Sequence, residues 1–144
     1  MKTILTTILL LITVSGISQP LMLGCRKAQV KSEMRRPEYK RTVRASDYNE
    51  YQKGNTAYGF RYYKDTLHQY FGKWILYQFT VTMPVSEQYA YIRRMEACNC
   101  MTRTGDTWIW ETLIFDTPVI IRRLYVQDEA GEDVAVSFLF EFDI

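Results

Sequence analysis

The chain has 144 residues, three cysteines, one histidine and a formal net charge of +2. That length carries a single domain once any targeting segment is removed. A lone imidazole excludes zinc sites built from several histidines and leaves any nucleophile–histidine device resting on His68 alone.

The first 24 residues carry one charge, Lys2, then the apolar run ILTTILLLITV and the small, polar SGISQP. A positive start, an apolar stretch and a small-residue exit read as a secretory signal peptide over residues 1–18, with Gly16-x-Ser18 permitting cleavage before Gln19. Read instead as a retained anchor, the uncharged residues 3–24 reach across ~30 Å of hydrocarbon, but Pro20 and the polar residues after Val14 make a poor span. A third reading extends the signal to residue 24, because LMLGC resembles a lipobox ending in Gly24-Cys25. It departs from that pattern at Met22, where Leu is usual, and at Leu23, where a smaller residue is usual. Cys25 is then the lipidation site. Three cysteines in an oxidising compartment leave one over, and a lipid on Cys25 would restore an even pair. With no Asn-x-Ser/Thr sequon in the chain, the expected setting is bacterial: exported, and either periplasmic, held to the membrane by lipid, or secreted.

From Arg26 to Arg44 the chain has eight basic and two acidic residues, whereas residues 45–144 have nine basic and fourteen acidic. Residues 25–45 are therefore expected to form a basic, poorly ordered arm ahead of one β-rich domain over residues 46–144. A membrane-surface contact through residues 26–44 follows from attraction to anionic lipid. Nucleic acid is not an expected partner of an exported chain.

Asp47 and Glu50 have capping-box spacing and Gly54-Asn55 would stop a helix, so one or two helical turns are expected there. TAYGFRYYKD alternates Tyr58, Phe60 and Tyr62 as a strand would, while Phe60, Tyr63, Leu67 and Tyr70 also have helical spacing; both readings stay open. Further strands are expected in KWILYQFTVTM, with Ile75, Tyr77, Phe79, Val81 and Met83 on one face, then in QYAYIRRMEA, TWIWETLIF and VIIRRLYVQ. VAVSFLFEFDI alternates most strictly, placing Val134, Val136, Phe138, Phe140, Phe142 and Ile144 together. Short connections between consecutive strands predict an antiparallel meander. The expected fold is mostly β, a small β-sandwich or partly closed barrel; the alternative is α+β, one helix packed on the antiparallel sheet.

Thr104-Gly105-Asp106 predicts a hairpin, and counting outward from Gly105 places Cys100 opposite Trp110. On that reading Cys98 and Cys100 share an indole-lined strand face and act as small core fillers, too divergent to bond each other. A disulfide from Cys25 to one of them, a soft-metal site and a redox pair remain as alternatives. No metal or cofactor is expected.

Arg93-Arg94 and Arg122-Arg123 both fall within expected strands, so one Arg of each pair points inward and needs a carboxylate, Glu96 or Glu111, or an open pocket. Ten of the eleven tyrosines lie between Tyr39 and Tyr91, and Tyr and Arg together favour contact surfaces. The expected binding residues are Arg93, Arg94, Arg122, Arg123, Tyr89 and Tyr91. The function expected is a non-catalytic binding module for another protein or a glycan, exported or lipid-anchored in the cell envelope. The alternatives are a small-pocket α+β enzyme using His68 or a carboxylate, and a soft-metal or redox protein using Cys98 and Cys100.

Overall fold

The computed structural model of the protein describes residues 22–66, 72–111 and 116–143. The signal-peptide segment 1–18, His68 and Ile144 lie outside these residues. No helix among the described residues is long and apolar enough to cross a membrane.

Eight antiparallel strands form one open sheet: β1 (Lys40–Arg44), β2 (Tyr48–Lys53), β3 (Thr56–Lys64), β4 (Trp74–Pro84), β5 (Met101–Thr104), β6 (Thr107–Trp110), β7 (Val119–Gln127) and β8 (Asp133–Phe142). Their spatial order is β1-β2-β3-β4-β8-β7-β6-β5. The expected antiparallel meander is thus present twice. One runs inward from β1 to β4, the chain then crosses to the far edge, and the second returns from β5 to β8 beside β4. The two outermost strands are short, and β1 carries Lys40, Arg41 and Arg44, which discourages pairing with another chain.

Helix α1 (Lys27–Glu33) and helix α2 (Gln88–Glu96), rather than a second sheet, cover the apolar face. Val30 and Met34 from the α1 region and Tyr91, Ile92 and Met95 from α2 join a single core with Phe60, Phe79, Trp108, Phe138 and Phe140. Ring contacts run across the sheet, from Tyr51–Phe60 at 5.8 Å through Phe60–Phe79 at 5.2 Å to Phe79–Phe140 at 5.4 Å. Burying each such ring contributes ~1.5–3 kcal/mol, and the edge-on and tilted geometries add to that.

Three local expectations change and one open choice is settled. The arm is not loose: residues 27–33 are helical, with the Arg26 N–H donating to Gln29 Oε1 at 2.9 Å, and residues 40–44 form the edge strand. Val30 and Met34 hold the helix down, and a compositional count of the arm gives two apolar residues too little weight. Tyr48–Lys53 is a strand, not helical turns, because Asn49 and Tyr51 alternate inward and Gly54-Asn55 makes the hairpin to β3. Residues 60–64 belong to β3, which settles the described part of the 60–71 ambiguity in favour of strand. QYAYIRRMEA is a helix: Gln88, Tyr91, Ile92 and Met95 are its buried positions, spaced three and four apart.

Gly59 is the one strand glycine with no room for a side chain. A Cβ there would lie 2.4 Å from Thr80 Oγ1 and 2.7 Å from the Tyr48 hydroxyl.

Candidate functional site: a cleft where the sheet divides

β4 is interrupted by a bulge. Gln78 pairs with Arg61 and Leu76 with Tyr62, leaving Tyr77 as an extra residue. The bulge changes the parity of the strand, so Leu76 turns into the core with Phe79 while Tyr77 turns out. That overturns the expectation that Tyr77 shares a face with Phe79 and Val81. The signal for it is in the run Trp74-Ile75-Leu76-Tyr77, where four consecutive bulky residues break the alternation kept from Phe79 onward.

The bulge also ends the partnership of β4 with β8. Their pairing runs from Pro84–Ala135 to Gln78–Glu141 and stops. Beyond it the other side of β4 is taken by the segment before α1. The Gly24 N–H donates to Leu76 O at 2.8 Å, the Leu76 N–H to Cys25 O at 2.9 Å, and Arg26 bridges to Ile75. β8 meanwhile stays with β7, through Glu141–Ile120 and Phe142–Val119. The sheet therefore divides, and a cleft of about 610 Å³ opens at the division.

One wall of the cleft carries Tyr63 and Tyr77, whose rings meet edge to face at 5.9 Å. They are 44% and 36% exposed and so present ring surface to the cleft. The other wall carries Ile120, Arg122, Glu141 and Asp143. Arg122 Nη1 donates to Glu141 Oε1, and Gln78 Nε2 donates to Glu141 Oε2 at 3.3 Å. Glu141 is thereby held in one orientation with its charge balanced, while its remaining lone pairs and the other guanidinium N–H groups are free in number to meet a ligand. Tyr62 lies in the wall as a neutral phenol, since burial raises its hydroxyl well above the ordinary tyrosine value.

Of the six expected binding residues, only Arg122 lines this cleft. Arg123 points to the opposite face, where its Nε and Nη2 donate to Asp106 and its Nη1 to Gln88 Oε1 at 3.2 Å. It also stacks over Tyr125 at 5.2 Å, and so clamps the start of α2 to β7. The inward-facing Arg is thus paired, as expected, but with Asp106 rather than Glu96 or Glu111. Arg93, Arg94 and Tyr89 lie on the solvent side of α2, and Tyr91 is in the core against Phe138 at 4.9 Å. The six do not form one surface. Tyr63, Tyr77 and Glu141 were not among them.

Cys98 and Cys100 are bonded to each other in the turn after α2, where Asn99 takes a positive φ of 53°. Neither is in a strand and neither is fully buried: Cys98 is exposed, and Cys100 is half-buried against the edge of the core. The expected register fails because the β5–β6 hairpin centres between Gly105 and Asp106, pairing Thr104 with Thr107 and Met101 with Trp110. A shift of one residue exchanges faces, and the helix upstream removes Cys98 from the sheet altogether. The bond also rules out the Cys25 bridge in this structure: Cys25 is a free thiol, half-buried, with burial pushing its pKa up. No cluster of three or more His, Cys, Asp or Glu side chains suited to a metal ion occurs among the described residues.

Comparison of the chain with protein-family profiles, with curated proteins and with solved structures finds no match.

Proposed function

We propose that the chain is an exported binding module, anchored by lipid or released, whose ligand is a glycan held in the cleft between β4 and β8. The observation that carries this reading is the pair of outward tyrosines, Tyr63 and Tyr77, facing the Arg122–Glu141 ion pair across an open cleft. Ring faces stack on the apolar C–H face of a sugar, and an oriented carboxylate and guanidinium bond its hydroxyls. The walls are preformed by backbone pairing, so little ordering entropy opposes binding.

Cysteine parity supports the lipid-anchored form, in which cleavage before Cys25 removes Leu23 and Gly24 and leaves the Cys25 carbonyl to hold the Leu76 N–H. With Cys98 and Cys100 joined, Cys25 is the odd thiol, and it is the residue that ends the lipobox-like LMLGC.

A panel of neutral and acidic oligosaccharides, titrated against the folded protein by calorimetry, tests the reading. Binding by at least one is expected, with Tyr63→Ala and Tyr77→Ala each weakening it about tenfold or more and leaving the melting temperature nearly unchanged, since both rings are exposed. Binding that survives both substitutions, or binding by none of the panel, would overturn it.

A further inference from the structure

The basic segment does more than carry charge; its fold gathers that charge around a hollow. The end of α1, the turn that follows it, β1 and β2 surround about 260 Å³ lined by Lys31, Arg35, Arg41 and Arg44, with Met34, Tyr39 and Tyr51 as the remaining lining. Lys31 comes from the last turn of α1, and Arg35 from the turn just past it, where its N–H donates to Ser32 O at 3.3 Å. Arg41 is held by its pairing with Tyr51 across β1 and β2, and Arg44 by its pairing with Asn49.

Four cations this close repel one another, and such an arrangement is normally relieved by nearby carboxylates. Here Glu33 is turned to Arg36, at 3.9 Å, and no acidic side chain among the described residues stands within ion-pair distance of any of the four. Lys27, at the near end of the helix, donates to the Ala45 and Ser46 carbonyls at 2.9 and 2.8 Å. Its ammonium is lowered by burial first and then by Lys31, with Arg41 and Arg44 adding to this and Asp47 opposing. Lys27 is therefore near enough to feel Lys31, Arg41 and Arg44, and the element the hollow lacks is a compact anion.

We propose that the hollow between α1 and β1 binds a phosphate-type oxyanion, gripped by Lys31, Arg35, Arg41 and Arg44. The guanidinium groups supply planar, paired donors that match phosphate oxygens, and Lys31 adds a point charge. The phosphate belongs either to an anionic lipid headgroup or to a soluble phosphate compound; the chemistry at the hollow is the same. This site is separate from the cleft between β4 and β8 and does not rest on the glycan reading.

The test uses the mature chain with two probes. Inorganic pyrophosphate is titrated while the arginine side-chain N–H resonances are followed by NMR, and vesicles of phosphatidylglycerol with phosphatidylcholine are tested by sedimentation. Pyrophosphate is expected to shift Arg35, Arg41 and Arg44 selectively. The double variant R41A/R44A should weaken it about 25-fold, at roughly fivefold per charge, while R36A changes it less than about twofold. Should R41A/R44A disturb the edge strand, R35A in the exposed turn after α1 reads the same site with a roughly fivefold loss. Vesicle binding that depends on the same arginines and is competed by pyrophosphate assigns the lipid headgroup. Pyrophosphate binding without vesicle binding assigns a soluble phosphate compound. The proposal falls if neither probe binds, or if R36A weakens binding as much as R35A does, since the attraction would then be general charge and not a site.

Discussion

The indole N–H of Trp108 donates to Glu96 Oε1 at 2.7 Å, joining the last residue of α2 to the middle of β6. Trp108 is fully buried, while Glu96 keeps part of its carboxylate in water and meets Arg103 at 3.6 Å. Arg103 in turn lies over the indole at 4.8 Å. This triangle spans the turn that holds Cys98 and Cys100 and fixes where the helix ends against the sheet. A hydrogen bond to a charged acceptor contributes ~1.5–3 kcal/mol, and leaving a buried donor unmet costs about 1–3 kcal/mol. Glu96→Gln keeps an acceptor and is expected to cost less than about 1 kcal/mol, Glu96→Ala about 1–3 kcal/mol, and Trp108→Phe about 2–4 kcal/mol because it also leaves a void. Urea unfolding of the three variants gives the order directly; a Glu96→Ala protein as stable as Glu96→Gln would show that the bond contributes nothing.

Alkaline pH should destabilise the fold. Burial raises the phenols of Tyr58, Tyr62 and Tyr91 above the ordinary tyrosine value. Tyr48 is pushed up to about 12, by burial first and then by its hydrogen bond to Glu50. The folded chain thus keeps protons that the unfolded chain releases near pH 10, so their contribution is fully present below about pH 10 and is lost as pH rises through the folded values. Lys27, lowered by burial, has the opposite slope, rising with pH just below its ordinary value, but it is one group against four. The urea midpoint is expected to hold between about pH 7 and 9 and to fall steeply above about pH 10. Tyr91→Phe should shrink that fall. A midpoint unchanged at about pH 11 would contradict the burial of these phenols.

Most of the sheet was legible from residue alternation alone. VIIRRLYVQ and VAVSFLFEFDI stand as β7 and β8 almost to the residue, because the buried Val136, Phe138 and Phe140 recur at every second position. QYAYIRRMEA satisfies both periods over a short window: Tyr89, Tyr91 and Met95 share strand parity, and only Arg93 on that face and the burial of Gln88 and Ile92 beside Tyr91 and Met95 separate helix from strand. The two cysteines turn on the same choice, since a strand forbids the i to i+2 bond that a helix C-terminus with Asn99 at positive φ allows.

The cleft was less legible for a different reason. It depends on where β4 and β8 part company, and no local pattern states which strands are neighbours when β4 and β8 lie more than fifty residues apart in the chain. The bulge at Tyr77 leaves a mark in the sequence; its consequence does not.

The cysteines offer a count that separates the two export forms. Without reductant, the denatured chain should take one alkyl label, on Cys25, if that thiol is free, and none if it carries a thioether-linked lipid. Reduction should add two labels in either case, because the Cys98–Cys100 bond opens. In the native state Cys25 should label slowly, being half-buried with its thiolate disfavoured. A loop this short removes little unfolded-state entropy, so Cys98→Ser/Cys100→Ser should cost no more than about 1.5 kcal/mol. Intact mass completes the measurement: a chain beginning at Cys25 with acyl chains is the anchored form, and one beginning at Gln19 is the released form. A gain of fewer than two labels on reduction would show that Cys98 and Cys100 are not joined, and would return Cys25 to the pool of bridging partners.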